Sequence, residues 1–352
     1  MPRTNRPPTR PRRRAAACLA TLILTVGISA CDADPTVPSV RPAPGEPPAT
    51  ARVKQNRSGF LSGAGGVALF YQLVGNGPDT VIVLHGGPGL SMSHLVPDID
   101  RLAEGRTLIF FDQRGGGYSP LPNPDPSALS VDLFVADVEA ARQHLALKRV
   151  TLLGHSWGAI LAGLYAAAHA DRVERLVLLD PGPIAPPYFT EFSAAVSTRL
   201  TVDDFAQYGT LLALVADGPD PFGSCEAALT LLFSHYQHDP ASIERMRGRW
   251  CGGSLTGIRQ GRFVTRNVVL TAIADLDLRP LLTTALAGRT VPALVLYGDA
   301  EPIPLASAED WAAAIPGARL VVLPHAGHFP WLEANPVAKE FFKVVGDFLR
   351  HS

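Results

Sequence analysis

The chain has 352 residues, 47% of them hydrophobic, enough to bury a large core and compatible with roughly one to three domains. Its formal net charge is −1, yet six arginines (Arg3 to Arg14) fall in the first 14 residues and no acid precedes Asp32. Losing those arginines and no acid would take the charge from −1 to −7, which argues against a nucleic-acid-binding protein.

Residues 15–30, AAACLATLILTVGISA, are uncharged and largely apolar. A basic start, a short apolar run and small residues at its end read as a secretory signal over residues 1–30. The run is short for a membrane-spanning helix. It closes on GISAC, which resembles the lipobox of bacterial lipoproteins. The resemblance implies lipidation of Cys31 and a membrane anchor on a periplasmic or cell-surface face. In some bacteria an aspartate in the position of Asp32 favours the inner membrane. Residues 31–57 then read as the lipidated cysteine and an extended tether, with six prolines between 32 and 51.

From residue 58 apolar runs alternate with helical patterns. Residues 67–74, 80–85, 107–112, 150–155, 175–180, 293–298 and 319–324 read as strands, five of them continuously apolar as in strands buried on both faces. Residues 130–147 repeat apolar side chains at helical spacing behind Ser130 as N-cap, and 336–351 starts with Pro336 in its first turn. The fold class is therefore α/β, a mainly parallel sheet flanked by helices, with a core over 58–182 and 289–352. Between 183 and 288 the alternation lapses into helical, polar-rich sequence. This reads as a helical lid between the sixth and seventh strands of the fold. It carries Cys225 and Cys251, an even pair for which an oxidising compartment favours a disulfide over two buried thiols.

GHSWG (154–158) follows a strand and opens a helix, the context of a nucleophile elbow, and names Ser156 as nucleophile. LHGGPG (84–89) supplies exposed backbone amides. One oxyanion-hole donor is expected from Gly86 or Gly87, the other from Trp157. After the last strand, LPHAGHFPWLE offers His325 and His328, and the flexible Gly327 favours His328 as general base.

HGGPG (85–89), DQRGGGYS (112–119), GHSWG (154–158) and GHFPWLE (327–333) together resemble the α/β-hydrolases of the prolyl-aminopeptidase type, over roughly residues 58–350. DQRGGGYS is expected mainly to shape the loop beside the oxyanion hole. His155 departs from the glycine these peptidases often carry and is common in esterase relatives. In this superfamily the triad acid typically lies three residues past the glycine closing the penultimate strand. Counting from Gly298 gives Glu301, with Asp299 as a turn residue or alternative acid, and Asp180, after the sixth strand, as a second alternative.

The expected function is serine hydrolysis by acyl transfer with no metal or organic cofactor: Ser156 attacks, His328 moves the proton, Glu301 orients His328. The resemblance implies a short peptide or aminoacyl substrate cleaved after an N-terminal proline or other small residue. Its amine would be held by lid carboxylates, for which Glu191, Asp203, Asp204, Glu226, Asp239 and Glu244 are available. Ester, lactone or amide hydrolysis by the same triad is the alternative, and an inactive surface-tethered binding module the remote one. Dehalogenases and epoxide hydrolases need aspartate where Ser156 stands. Oligomeric state is not legible.

Overall fold

The computed structural model describes residues 57–350; the signal segment, Cys31 and the tether up to residue 56 lie outside the described residues. The chain enters as β1 (Arg57–Ser62) and turns back into β2 (Ala68–Gly75). There follow β3 (Asp79–Leu84), β4 (Arg106–Phe111), helix α1 (Val131–His144), β5 (Val150–His155), α2 (Trp157–Ala168) and β6 (Val173–Leu179). Helices α3 (Pro186–Arg199), α4 (Val202–Asp217), α5 (Pro221–Ser234), α6 (Leu255–Gln260), α7 (Arg266–Ile273) and α8 (Leu278–Ala285) precede β7 (Ala293–Gly298). The fold closes with α9 (Leu305–Ala314), β8 (Ala318–Leu323) and α10 (Asn335–Arg350).

The strands form one sheet in the order β1-β2-β4-β3-β5-β6-β7-β8. β2 runs antiparallel to both neighbours, and every pair from β4 to β8 is parallel. β1 is the strand that the sequence pattern missed. It is an edge strand with one buried side chain, Leu61, so it shows no apolar run. With it counted, the segments at 175–180 and 293–298 are the sixth and seventh strands.

Period-two alternation splits the central strands between two cores. Ile82, Leu84, Leu152, Leu176 and Val295 pack with α1, α2, α8 and α9 on one face. Val81, Val83, Leu153, Val177 and Leu294 pack with Phe341, Val345 and Leu349 of α10 on the other. Ser130 occupies the cap position of α1, but its side chain makes no capping hydrogen bond. The expected boundary at 288 shifts: α8 belongs to the core, because Leu278 and Leu282 are buried against it and the Leu278 amide donates to the Ile184 carbonyl. Val269 and Ile273 of α7 are buried in the same core, so the helices between β6 and β7 that place no buried residue in it are α3 to α6. Within them Cys225 and Cys251 form a disulfide.

All parallel strands point their C-terminal ends to one edge, so His85, Ser156, Asp180, Glu301 and His328 emerge together, where open α/β sheets bind ligands.

Candidate active site

Ser156 sits between β5 and α2 with φ 56° and ψ −120°, a strained conformation for a residue with a side chain. The turn closes because its flanks lack side chains. A Cβ on Gly154 would stand 2.3 Å from the Gly158 carbonyl oxygen, and one on Gly158 would stand 2.1 Å from the Leu84 carbonyl oxygen. The Ser156 amide is fixed by the Leu179 carbonyl at 3.0 Å. Ser156 and His328 line one cavity of about 190 Å³ together with Gly86, Gly87 and Trp157.

The acids separate by environment. Glu301 is buried, and its Oε2 accepts from Nδ1 of His328 at 2.6 Å while Oε1 accepts the Ile303 amide at 3.2 Å. Asp299 is exposed and accepts from the Ala326 amide at 3.3 Å, as a turn residue does. Asp180 is fully buried, and its Oδ1 accepts the Gly298 amide at 2.8 Å. Its Oδ2 has no partner among the described residues. Burial, and then the charge of Glu301, raise the Asp180 pKa well above the carboxylate range. Burial raises Glu301 as well, opposed by the Ile303 amide and by Arg199. Of the two, only Glu301 is hydrogen-bonded to His328, and it has an amide donor as well; Asp180 has a single amide donor.

Burial depresses His328 below its ordinary 6.5, so its imidazole is neutral at neutral pH. Its amide donates to the Tyr236 carbonyl at 2.9 Å, and Glu333 and Gln237 bind the flanking amides of Gly327 and Phe329. The loop bearing the base is therefore held by the segment just after α5. His325 stands outside, exposed in a left-handed conformation against the His238 ring.

Of four supporting residues, His85, Gln113 and His155 lie inside the motifs quoted above without a supporting role assigned to them, and His94 lies outside every motif. His155 packs on the His328 ring and hydrogen-bonds the His328 carbonyl from Nε2 at 2.9 Å. His94 and His85 complete a buried imidazole row, and all are pushed down by burial, His85 to about 4. Gln113 joins three motifs. Its amide donates to His85 Nε2, its Nε2 donates to the His85 carbonyl at 2.9 Å, and its Oε1 accepts from Trp157 Nε1 at 2.6 Å. The rest of DQRGGGYS is structural: Asp112 accepts the Met92 and Tyr118 amides, and Arg114 pairs with buried Asp137 at 2.6 Å.

None of the six lid carboxylates lines the cavity. Asp204 and Asp239 cap helices, and Glu226 accepts from the Trp250 and Cys251 amides.

A family model described as alpha/beta hydrolase fold matches residues 79–334. The chain belongs to that family. The hydrolase is similar to a proline iminopeptidase of Heyndrickxia coagulans, 28% identical over 296 residues, which is 83% of this chain and 98% of the relative. Among solved structures it is similar to a proline iminopeptidase of Mycobacterium smegmatis, with TM-score 0.61 and 23% identity over 83% of this chain and 97% of the other. It also resembles the enol-lactonase of Burkholderia xenovorans LB400, with TM-score 0.56 and 24% identity over 83% of this chain and all of the other (100%). The likeness to the two solved structures is one of fold.

Proposed function

We propose that this hydrolase is a serine enzyme working by acyl transfer, an aminopeptidase that releases an N-terminal proline or another small residue from short peptides. The observation that carries the chemistry is the buried pair of Glu301 and His328, 2.6 Å apart, with His328 on the same cavity as the strained Ser156. Ser156 Oγ bonds to the substrate carbonyl carbon as its proton passes to His328 Nε2. The tetrahedral oxyanion is received by amides of Gly86 or Gly87 and of Trp157. Collapse expels the leaving amine, which takes the proton from His328. Water repeats the sequence on the acyl-enzyme, releasing the acid and free Ser156. The substrate class rests on the alignment that runs almost the full length of the Heyndrickxia coagulans enzyme.

A second reading, hydrolysis of esters, lactones or amides, is favoured by one observation: among the described residues no Asp or Glu lines the cavity to hold a free amine. Prolyl-p-nitroanilide, its N-blocked form and short p-nitrophenyl esters separate the two, with Ser156→Ala as control. Preference for the free amine supports the peptidase. Turnover of esters alone overturns that substrate class and leaves the triad standing. Loss of activity by less than about 10⁴-fold in Ser156→Ala would overturn the nucleophile itself.

Export and anchoring through lipidated Cys31 are proposed with it. The Cys225–Cys251 disulfide supports an oxidising compartment. Mass spectrometry of the membrane-extracted protein, finding either diacylglyceryl-Cys31 or an unmodified N-terminus, decides it.

A further inference from the structure

The cavity that holds Ser156 is positively charged on one wall. Arg262 and Arg266 both line it, four residues apart, and among the described residues the lining contains no carboxylate. Arg262 is 8% exposed, so its charge is largely withdrawn from water. It donates from Nη2 to the Tyr208 hydroxyl at 2.7 Å, and its Nε has no hydrogen-bond partner among the described residues. No ion pair involves Arg262 within 4.0 Å among the described residues. A buried cation without an anion is costly.

Its position is fixed with care. Arg262 lies in a π turn, Gly261–Thr265, a local widening of the helix that is frequent at functional sites. That turn touches the loop after β3 backbone to backbone: a Cβ on Gly261 would stand 2.0 Å from the Gly89 carbonyl oxygen, and one on Gly89 would stand 2.2 Å from that of Gly261. Thr265 Oγ1 donates to the Gly115 carbonyl at 2.8 Å, binding the other end of the turn to the loop after β4. The turn that bears Arg262 is thus held against the same loop that carries Gly86 and Gly87. Phe189, Val196, Leu232, Leu270 and Ile273 give the lining an apolar stretch, beside which stand Ser193, Ser197 and Tyr236.

We infer that Arg262 forms an anion subsite in this cavity, and that the substrate is a small acyl compound with an apolar body and a carboxylate. Arginine is the side chain suited to this, because its planar fork meets a carboxylate with two hydrogen bonds and it stays charged when buried. The inference rests on the acyl-transfer reading and narrows its substrate. The carboxylate has two sources, the C-terminus of a dipeptide or the free acid of a dicarboxylate half-ester or lactone.

The test pairs isosteres with and without the charge: mono-p-nitrophenyl glutarate against p-nitrophenyl valerate, and Pro-Ala against Pro-Ala amide. Each is measured with the wild type, Arg262→Gln and Arg262→Lys. Wild-type kcat/KM should favour the anionic member of one pair by about 10- to 100-fold, and that pair names the source. In Arg262→Gln the ratio should collapse towards one, mainly through KM, and Arg262→Lys should restore part of it. Free glutarate should inhibit ester turnover competitively, and glutaramide should not. A wild-type ratio near one in both pairs overturns the inference whether or not the variants fold, as does an equal loss for both members in Arg262→Gln. Labelling of Ser156 by a fluorophosphonate separates the two failures. A labelled enzyme with no anion preference loses only the subsite, and an unlabelled, inactive one loses the acyl-transfer reading as well.

Discussion

His155 donates a hydrogen bond from Nε2 to the backbone carbonyl of His328, 2.9 Å away, so the residue beside Ser156 holds the main chain of His328. The rings pack with centroids 4.7 Å apart, and His155 thereby dries one side of His328. Replacing it with glycine, His155→Gly, removes the bond and the packing together. We expect kcat to fall about 10-fold and the acid limb of the pH–rate profile to move upward as water reaches His328. A variant with lower stability but an unmoved limb would assign His155 to packing alone.

Two buried carboxylates face each other across the ends of β6 and β7, and they are not equivalent. Glu301 accepts from His328, whereas Asp180 does not touch that ring, and burial followed by the charge of Glu301 pushes its carboxyl up. A neutral amide therefore imitates Asp180 and does not imitate Glu301. Glu301→Gln should lower kcat by about 10³- to 10⁴-fold, while Asp180→Asn stays within about 5-fold of the wild type and Asp299→Asn is silent. Steady-state rates with one p-nitrophenyl ester suffice. A collapse in Asp180→Asn with a mild Glu301→Gln would exchange the two roles.

Acid sensitivity follows from the same burial. In its proposed role as base, His328 works only when neutral, and burial lowers its pKa below 6.5. A lowered pKa means that the neutral form persists as pH falls, so activity is lost only below the ordinary histidine range. The acid limb of kcat/KM, which reports the free enzyme, should have its midpoint below 6.5. A midpoint near 7 or above would show that the charge of Glu301 outweighs desolvation.

The disulfide joins α5 to the strand-free segment before α6, and both sulfurs are buried. Closing a 26-residue separation restricts the unfolded chain, so Cys225→Ser with Cys251→Ser should cost about 2–4 kcal/mol of stability. Denaturant midpoints of the oxidised wild type and the double variant measure it. Coincident midpoints would show that packing in the insertion, not the crosslink, holds these helices.

The sequence carried the site wherever chemistry is coupled to local chain form. Ser156 was legible because a glycine-flanked serine between a strand and a helix can only make a sharp turn there. Glu301 and Asp299 were separable only through the family resemblance, whose rule places the acid three residues past Gly298. What was illegible depends on contacts between distant segments. The meeting of Gly89 with Gly261, which places Arg262 on the cavity wall, spans most of the core and leaves no trace in spacing. The lid carboxylates illustrate the converse. The family resemblance implied that some of them hold the amine, but Asp204 and Asp239 cap helices, and Glu226 binds two amides beside the disulfide. β1 was missed because an edge strand with one buried residue carries no apolar pattern.

Gln113 ties the loop after β3 to the turn between β5 and α2. Two of its bonds go to His85, next to Gly86, and the third takes the indole N–H of Trp157. The amides expected to receive the oxyanion are thus tied through a single side chain that is itself buried. Gln113→Ala leaves the Trp157 indole N–H and the His85 carbonyl without that partner and opens a gap between the loops. We expect about 1–3 kcal/mol of lost stability and a loss of about 10- to 100-fold in kcat. The catalytic part has its own signature. A boronic acid, which forms a tetrahedral adduct with Ser156, should bind more weakly to Gln113→Ala, while KM for the ester stays near the wild-type value. Equal weakening of adduct and substrate would show that Gln113 only supports the cavity and does not aim the oxyanion donors.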